Sequence, residues 1–234
     1  MTEIELLSWA RGPGLQIATI IFVAGVVIRI FEILMLGRKA NLAEAKGPEM
    51  SSGLKTIVSR TVPDRDTFQR SGITIVAGYF FHIGLFVTFF LYAPHILFVK
   101  DLIGIGWPAL PTPVVDAVAV VTIISMLAVL VNRLTNKVMR YLTNFEDLLT
   151  WFLTIAPLVT GYMAFHRMGF TAPTLLATHI LSVELLLVIF PFTKLMHSFT
   201  LFLARWYNGA ISGYRGLHHE RVTRKRHQRT ERTG

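Results

Sequence analysis

The chain of 234 residues contains no cysteine. That absence excludes disulfides, thiolate-ligated iron–sulfur clusters and c-type haem attachment on this chain. Charge is scarce as well. Only 16% of residues are charged against 53% hydrophobic, and the mean hydropathy is +0.53. An ordinary soluble domain cannot hide that much apolar surface. Neither an internal repeat nor a second globular domain is evident. The positive n-region of a secretory leader is missing too, since Glu3 and Glu5 stand in its place. The first apolar stretch is therefore expected to insert as its own signal.

What is present is apolar sequence in long runs. A spanning helix needs roughly 20 mostly apolar residues, and five stretches qualify, at about 15–36, 73–99, 113–132, 147–165 and 173–204. The expected fold is an all-α bundle of five transmembrane helices over 1–204, followed by a basic tail over 205–234. Lys and Arg fall unevenly between the stretches. Segment 38–72 has seven, the 133–146 connection has three (Arg133, Lys137, Arg140) and the tail from Arg205 has eight, whereas the opposite side has only Arg11, Lys100 and Arg167. Positive loops stay cytoplasmic, which places the N-terminus outside and the C-terminus in the cytoplasm, in the inner (cytoplasmic) membrane. The +9 net charge is then accounted for by topology and anionic lipid, without nucleic acid. The 38–72 loop has turn composition, with a short interfacial helix expected over Leu54–Val58, and the Arg-dense end from His218 reads as a mobile tail.

Four histidines occupy two of the apolar stretches: His82 and His95 on the second, His179 and His197 on the fifth. An imidazole inside a bilayer is costly and marks a functional site by default. As one continuous helix, the 18 residues from His179 to His197 make five turns, placing both on one face roughly 27 Å apart. His82 and His95 are about 140° out of register on an ideal helix, and Pro94 is the expected source of a correcting kink. Antiparallel spans then pair His82 with His197 near the inside and His95 with His179 near the outside. Two cross-helix pairs at two depths suit two six-coordinate haems. Gly78 and Gly84 would let flat porphyrins approach the helix, although glycine also serves plain helix packing. His166, at the outer end of the fourth stretch, is a rival to His95.

The run Phe190-Pro191-Phe192-Thr193-Lys194-Leu195-Met196-His197, with His179 eighteen residues before it, resembles the last helix of the nitrate reductase gamma-subunit (NarI-like) superfamily of membrane dihaem cytochromes b. So do Phe81-His82-Ile83-Gly84-Leu85 and Asn144-Phe145-Glu146-Asp147-Leu148-Leu149 at their places in that family. The resemblance covers most of the chain. It implies two haem b groups, with His82 and His197 on the inner one and His179 on the outer one. Nitrate reductase gamma subunits carry their second histidine ten residues after the first, which is Tyr92 here; the nearest candidate is His95. That shift, with Lys194 and Glu184 on the fifth stretch, is more similar to the HdrE/DsrM-like and hydrogenase-associated branch. The partner implied is a cytoplasmic iron–sulfur subunit, HdrD/DsrK-like or similar.

Arg29 and Glu32 stand three residues apart in the first stretch and can pair on one helical face. Arg29 and Lys194 are also candidates for haem propionates, and Glu184 and Tyr92 for quinone or proton contacts. The expected function is a cytochrome b subunit moving electrons between membrane quinone or quinol and the cytoplasmic partner, not a complete enzyme by itself. The alternatives are a proton-conducting or transport subunit using Arg29, Glu32, Glu184 and the histidines, and a haem-free membrane anchor.

Overall fold

A computed structural model describes residues 2–37 and 42–217. It is 83% helix, with no strand among the described residues. Five helical segments are long and apolar enough to cross a membrane: Glu3–Met35, Arg65–Phe90, Thr112–Thr135, Phe145–His166 and Ala172–Phe192. Their outward faces carry Ile, Leu, Val and Phe; Ile20 is 67% exposed and Phe86 61%. In water such a surface would be untenable, whereas in lipid it is the solvated face.

The first span begins earlier than the hydrophobic run suggests. α1 (Glu3–Trp9) opens on a capping box in which Thr2 accepts from the Glu5 backbone N–H and Glu5 accepts from that of Thr2. A π-helical turn, Ala10–Gly14, then leads into α2 (Leu15–Met35). After α3 (Glu49–Ser59), longer than the helix expected at Leu54–Val58, the second span is α4 (Arg65–Phe90). α4 ends at Phe90, short of the expected 99. The chain runs extended through Tyr92 and restarts as α5 (Ala93–Ile103), with Pro94 in its first turn. The remaining elements are α6 (Thr112–Thr135), the short α7 (Lys137–Leu142), α8 (Phe145–His166), α9 (Ala172–Ile189) and α10 (His197–Tyr214).

The fifth stretch is thus not one helix. Pro191 stands where α9 gives way to two short 3-10 turns, Phe190–Phe192 and Lys194–Met196. A proline in a helix interior removes a hydrogen bond and clashes with the preceding turn. The expectation that His179 and His197 share one face of a continuous helix fails for this reason. α10 runs on through residues 205–214, and the basic residues from His218 onward lie outside the described residues.

The chain divides into two compact units, Met1–Arg29 with Arg65–Leu195, and Ile30–Asp64 with Met196–Gly234. In the first, α4 packs on α6, α6 on α8, α8 on α9, and α9 on α1. Met126, Ile155 and Leu158 form its buried cluster, joined by Phe81, Leu85 and Trp151. The indole of Trp151 donates to the Met126 carbonyl (2.9 Å) and Asn132 Nδ2 donates to Thr74 Oγ1 (2.9 Å), fixing helix register. In the second unit α3 lies against α10 through small residues. A β-carbon on Gly209 or Gly213 would strike Thr56 or Ser52, a close approach of the kind small-residue spacing permits. Tyr214 Oη donates to the Ala43 carbonyl.

Candidate functional site

The break between α4 and α5 decides where His95 points. Pro94 brings no N–H, so the end of α4 is left with carbonyls that no following turn can satisfy. Two groups from the 104–111 loop take them: Trp107 Nε1–H donates to the Phe90 carbonyl (2.6 Å) and the Leu110 N–H to the Leu91 carbonyl (2.9 Å). Tyr92 caps the new helix with its own carbonyl, which accepts from the backbone N–H groups of His95 (3.1 Å) and Ile96 (3.1 Å). The extended residues reset the helical phase. His95 thereby escapes the register that a straight helix would impose.

It meets His179. The two ring centres are 6.1 Å apart with planes at 18°. Nδ1–H of His95 donates to the Thr88 carbonyl (3.0 Å). Nδ1 of His179 stands 3.4 Å from Thr160 Oγ1. Engaging Nδ1 in this way leaves Nε2 as the lone-pair nitrogen, the arrangement found at metal-bound imidazoles. Gly161 makes room for the second ring, since a β-carbon there would sit 3.0 Å from His179 Cε1. Phe89 and Tyr92 pack around His95 at 5.7 and 5.2 Å between ring centres.

An imidazole–metal bond of about 2 Å on each side of one iron puts two ring centres roughly 6 Å apart. The centre-to-centre distance of the His95–His179 pair matches that measure. His166 is engaged elsewhere: its Nε2 is 2.8 Å from Asp116 Oδ1. Tyr92, between α4 and α5, has its phenol raised above the ordinary tyrosine range by burial and by the Asp116 carboxylate. His82 directs Nδ1 at the Gly78 carbonyl (2.7 Å). His82 lies in the first unit and His197 opens α10 in the second.

The other charged candidates have structural work. Lys194 Nζ binds Asp147 Oδ1 (2.8 Å) with Glu146 at 3.8 Å, and its backbone N–H donates to Glu146 Oε1 (2.8 Å). Asp147 also binds Arg133 (3.1 Å) and shares a capping box with Asn144. The Asn144-Phe145-Glu146-Asp147 motif is therefore a helix start that also gathers two cations. The hydrogen bond from Lys194 to Asp147 raises the lysine above its ordinary value. Arg29 Nε donates to the Pro191 carbonyl (3.3 Å), taking up a group at the α9 break. Gly84 abuts Thr122 of α6, so it packs two spans together; Gly78 has nothing within 4 Å of a would-be β-carbon. Sequence reasoning passed over Asp116, Gly161 and Thr88. A lone carboxylate in the third apolar stretch was a signal for the first, while nothing in the sequence marked the other two.

A protein of Nitratidesulfovibrio vulgaris, described only as a protein, is 28% identical over 208 residues, covering 86% of this chain and 90% of that one. No family model and no solved structure matches the chain.

Proposed function

We propose that the chain is a membrane cytochrome b subunit of the NarI-like kind, nearer to the HdrE/DsrM-like and hydrogenase-associated branch, linking membrane quinone or quinol to a cytoplasmic iron–sulfur partner. The observation that carries this reading is the His95–His179 pair, with a centre-to-centre spacing suited to one bis-imidazole iron. Haem bound there would supply reversible one-electron transfer. The protein's own part is to hold His95 and His179 with Nδ1 engaged, to wall the pair with Phe89 and Tyr92, and to keep water from it. A second haem, on His82 and His197, rests on the family resemblance. The basic-residue asymmetry supports an N-terminus outside and a cytoplasmic C-terminus in the inner membrane.

The test is the reduced-minus-oxidised spectrum of the full chain purified from haem-replete cells. Sharp b-type bands are expected, at about two haems per chain on the family pattern. His95→Ala and His179→Ala should each remove one haem, and His166→Ala should remove none. A haem-free chain from such cells refutes the proposal and leaves a membrane anchor.

A further inference from the structure

Glu184, on α9, is 7% exposed, and its Oε1 is enclosed with no hydrogen-bond partner among the described residues. It sits where the fifth span meets the first. Gly14 creates the space, because a β-carbon there would stand 2.8 and 2.9 Å from the two carboxyl oxygens and 2.7 Å from Cζ3 of Trp9. The same turn is where the first span leaves α-helical geometry. Ala10–Gly14 is π-helical, Gly12 has φ −106° and ψ −105°, and Pro13 contributes no N–H. π-turns within helices recur at functional positions, and so do ionisable residues within spans.

The surroundings offer a carboxylate nothing. Around it the first span supplies Trp9 and Gly14, with Arg11 of that turn exposed. α8 has no titratable side chain between Asp147 and Tyr162. On α9 itself the nearest is His179, five residues earlier and so about 140° round the helix. A bare charge so enclosed costs far more than a hydrogen-bonded neutral acid. A hard cation such as calcium takes about 6–8 oxygens, whereas among the described residues no group hydrogen-bonds Oε1 of this carboxyl.

We propose that Glu184 is a proton-binding site within the membrane core, occupied at neutral pH. The site does not depend on haem. It gives a proton a resting place part-way along the pair of spans.

Dicyclohexylcarbodiimide, a lipid-soluble reagent that adds to protonated carboxyls in apolar surroundings, provides the test. The full chain in lipid vesicles at neutral pH should acquire an adduct on Glu184, read by peptide mass spectrometry. Labelling should fall as the pH is raised and be indifferent to sodium. Glu184→Gln, neutral and of the same size, should keep the helical circular dichroism of the parent and lose the adduct. Infrared difference spectra supply a readout that needs no reagent access: the carbonyl band of a protonated acid, shifting in heavy water, should be present in the parent and missing in Glu184→Gln. Absence of that band from the folded parent at neutral pH overturns the proposal. Protection by sodium also overturns it, because the site would then hold a metal cation.

Discussion

Gly84 and Gly78 lie six residues apart on one helix, and substituting alanine at each should give opposite results. At Gly84 the new β-carbon would fall on the hydroxyl of Thr122, 3.0 Å from its Cβ and 3.3 Å from its Cγ2. Thr122 is fully buried, and its hydroxyl donates to the Val118 carbonyl (2.6 Å). A β-branched side chain on a helix has little rotamer freedom with which to yield. α4 and α6 must therefore move apart, and overpacking of this kind costs about 1–3 kcal/mol. At Gly78 nothing lies within 4 Å, and alanine should stabilise the helix by about 0.5–1 kcal/mol. The helix gain is common to both sites, so the two variants should differ by the overpacking term, roughly 1–3 kcal/mol, which is about five- to a hundredfold in the folding equilibrium. Reversible unfolding in mixed micelles, titrated with a denaturing detergent and followed by circular dichroism, measures the difference. Thr122→Ala added to Gly84→Ala should recover part of the loss. If Gly84→Ala proves as stable as Gly78→Ala, the α4–α6 packing described here is wrong.

Gly161→Ala would press a β-carbon against His179 at 3.0 Å from Cε1 and 3.2 Å from Nδ1. Haem content or midpoint potential should change while helical content holds, as a redox titration will show. Trp107→Phe deletes the donor to the Phe90 carbonyl and should cost about 0.5–1.5 kcal/mol, with faster amide exchange in 91–96. Lys194 has its folded value raised above 10.5 by Asp147. Its contribution is therefore complete below the ordinary lysine value and disappears as pH rises through the raised one. Thermal melts should show Lys194→Met below wild type at neutral pH, with the gap closing in strong alkali; a gap that widens there contradicts the assignment.

Hydropathy was enough to find the five spans, since twenty apolar residues can hardly do anything else. The helix breaks were harder to foresee, and the prolines show why. Pro157 sits inside α8 without ending it, whereas Pro94 and Pro191 stand at breaks. Local sequence does not separate these cases. What differs is whether a distant group takes the freed carbonyls: Trp107 and Leu110 serve the break before Pro94, and Arg29 serves the one at Pro191. The histidines show the same division. Chemistry singled out His95 and His179, but their meeting depends on a phase change at Tyr92 that the 13-residue spacing only hinted at. The 18-residue spacing of His179 and His197 looked the more secure and rested on a helix that is not continuous.

The bond from Arg29 to the Pro191 carbonyl joins residues 162 positions apart. At about 5–20 residues per second, a ribosome reaches the acceptor roughly ten to thirty seconds after the donor. The first span must therefore enter the bilayer well before its carbonyl partner exists. Nor can Gly25 receive the Pro191 ring that fills its side of the helix until the fifth span arrives. Assembly is thus sequential, with the last span closing against the first, and a chain truncated before Pro191 would expose an unfinished helix surface to membrane quality control.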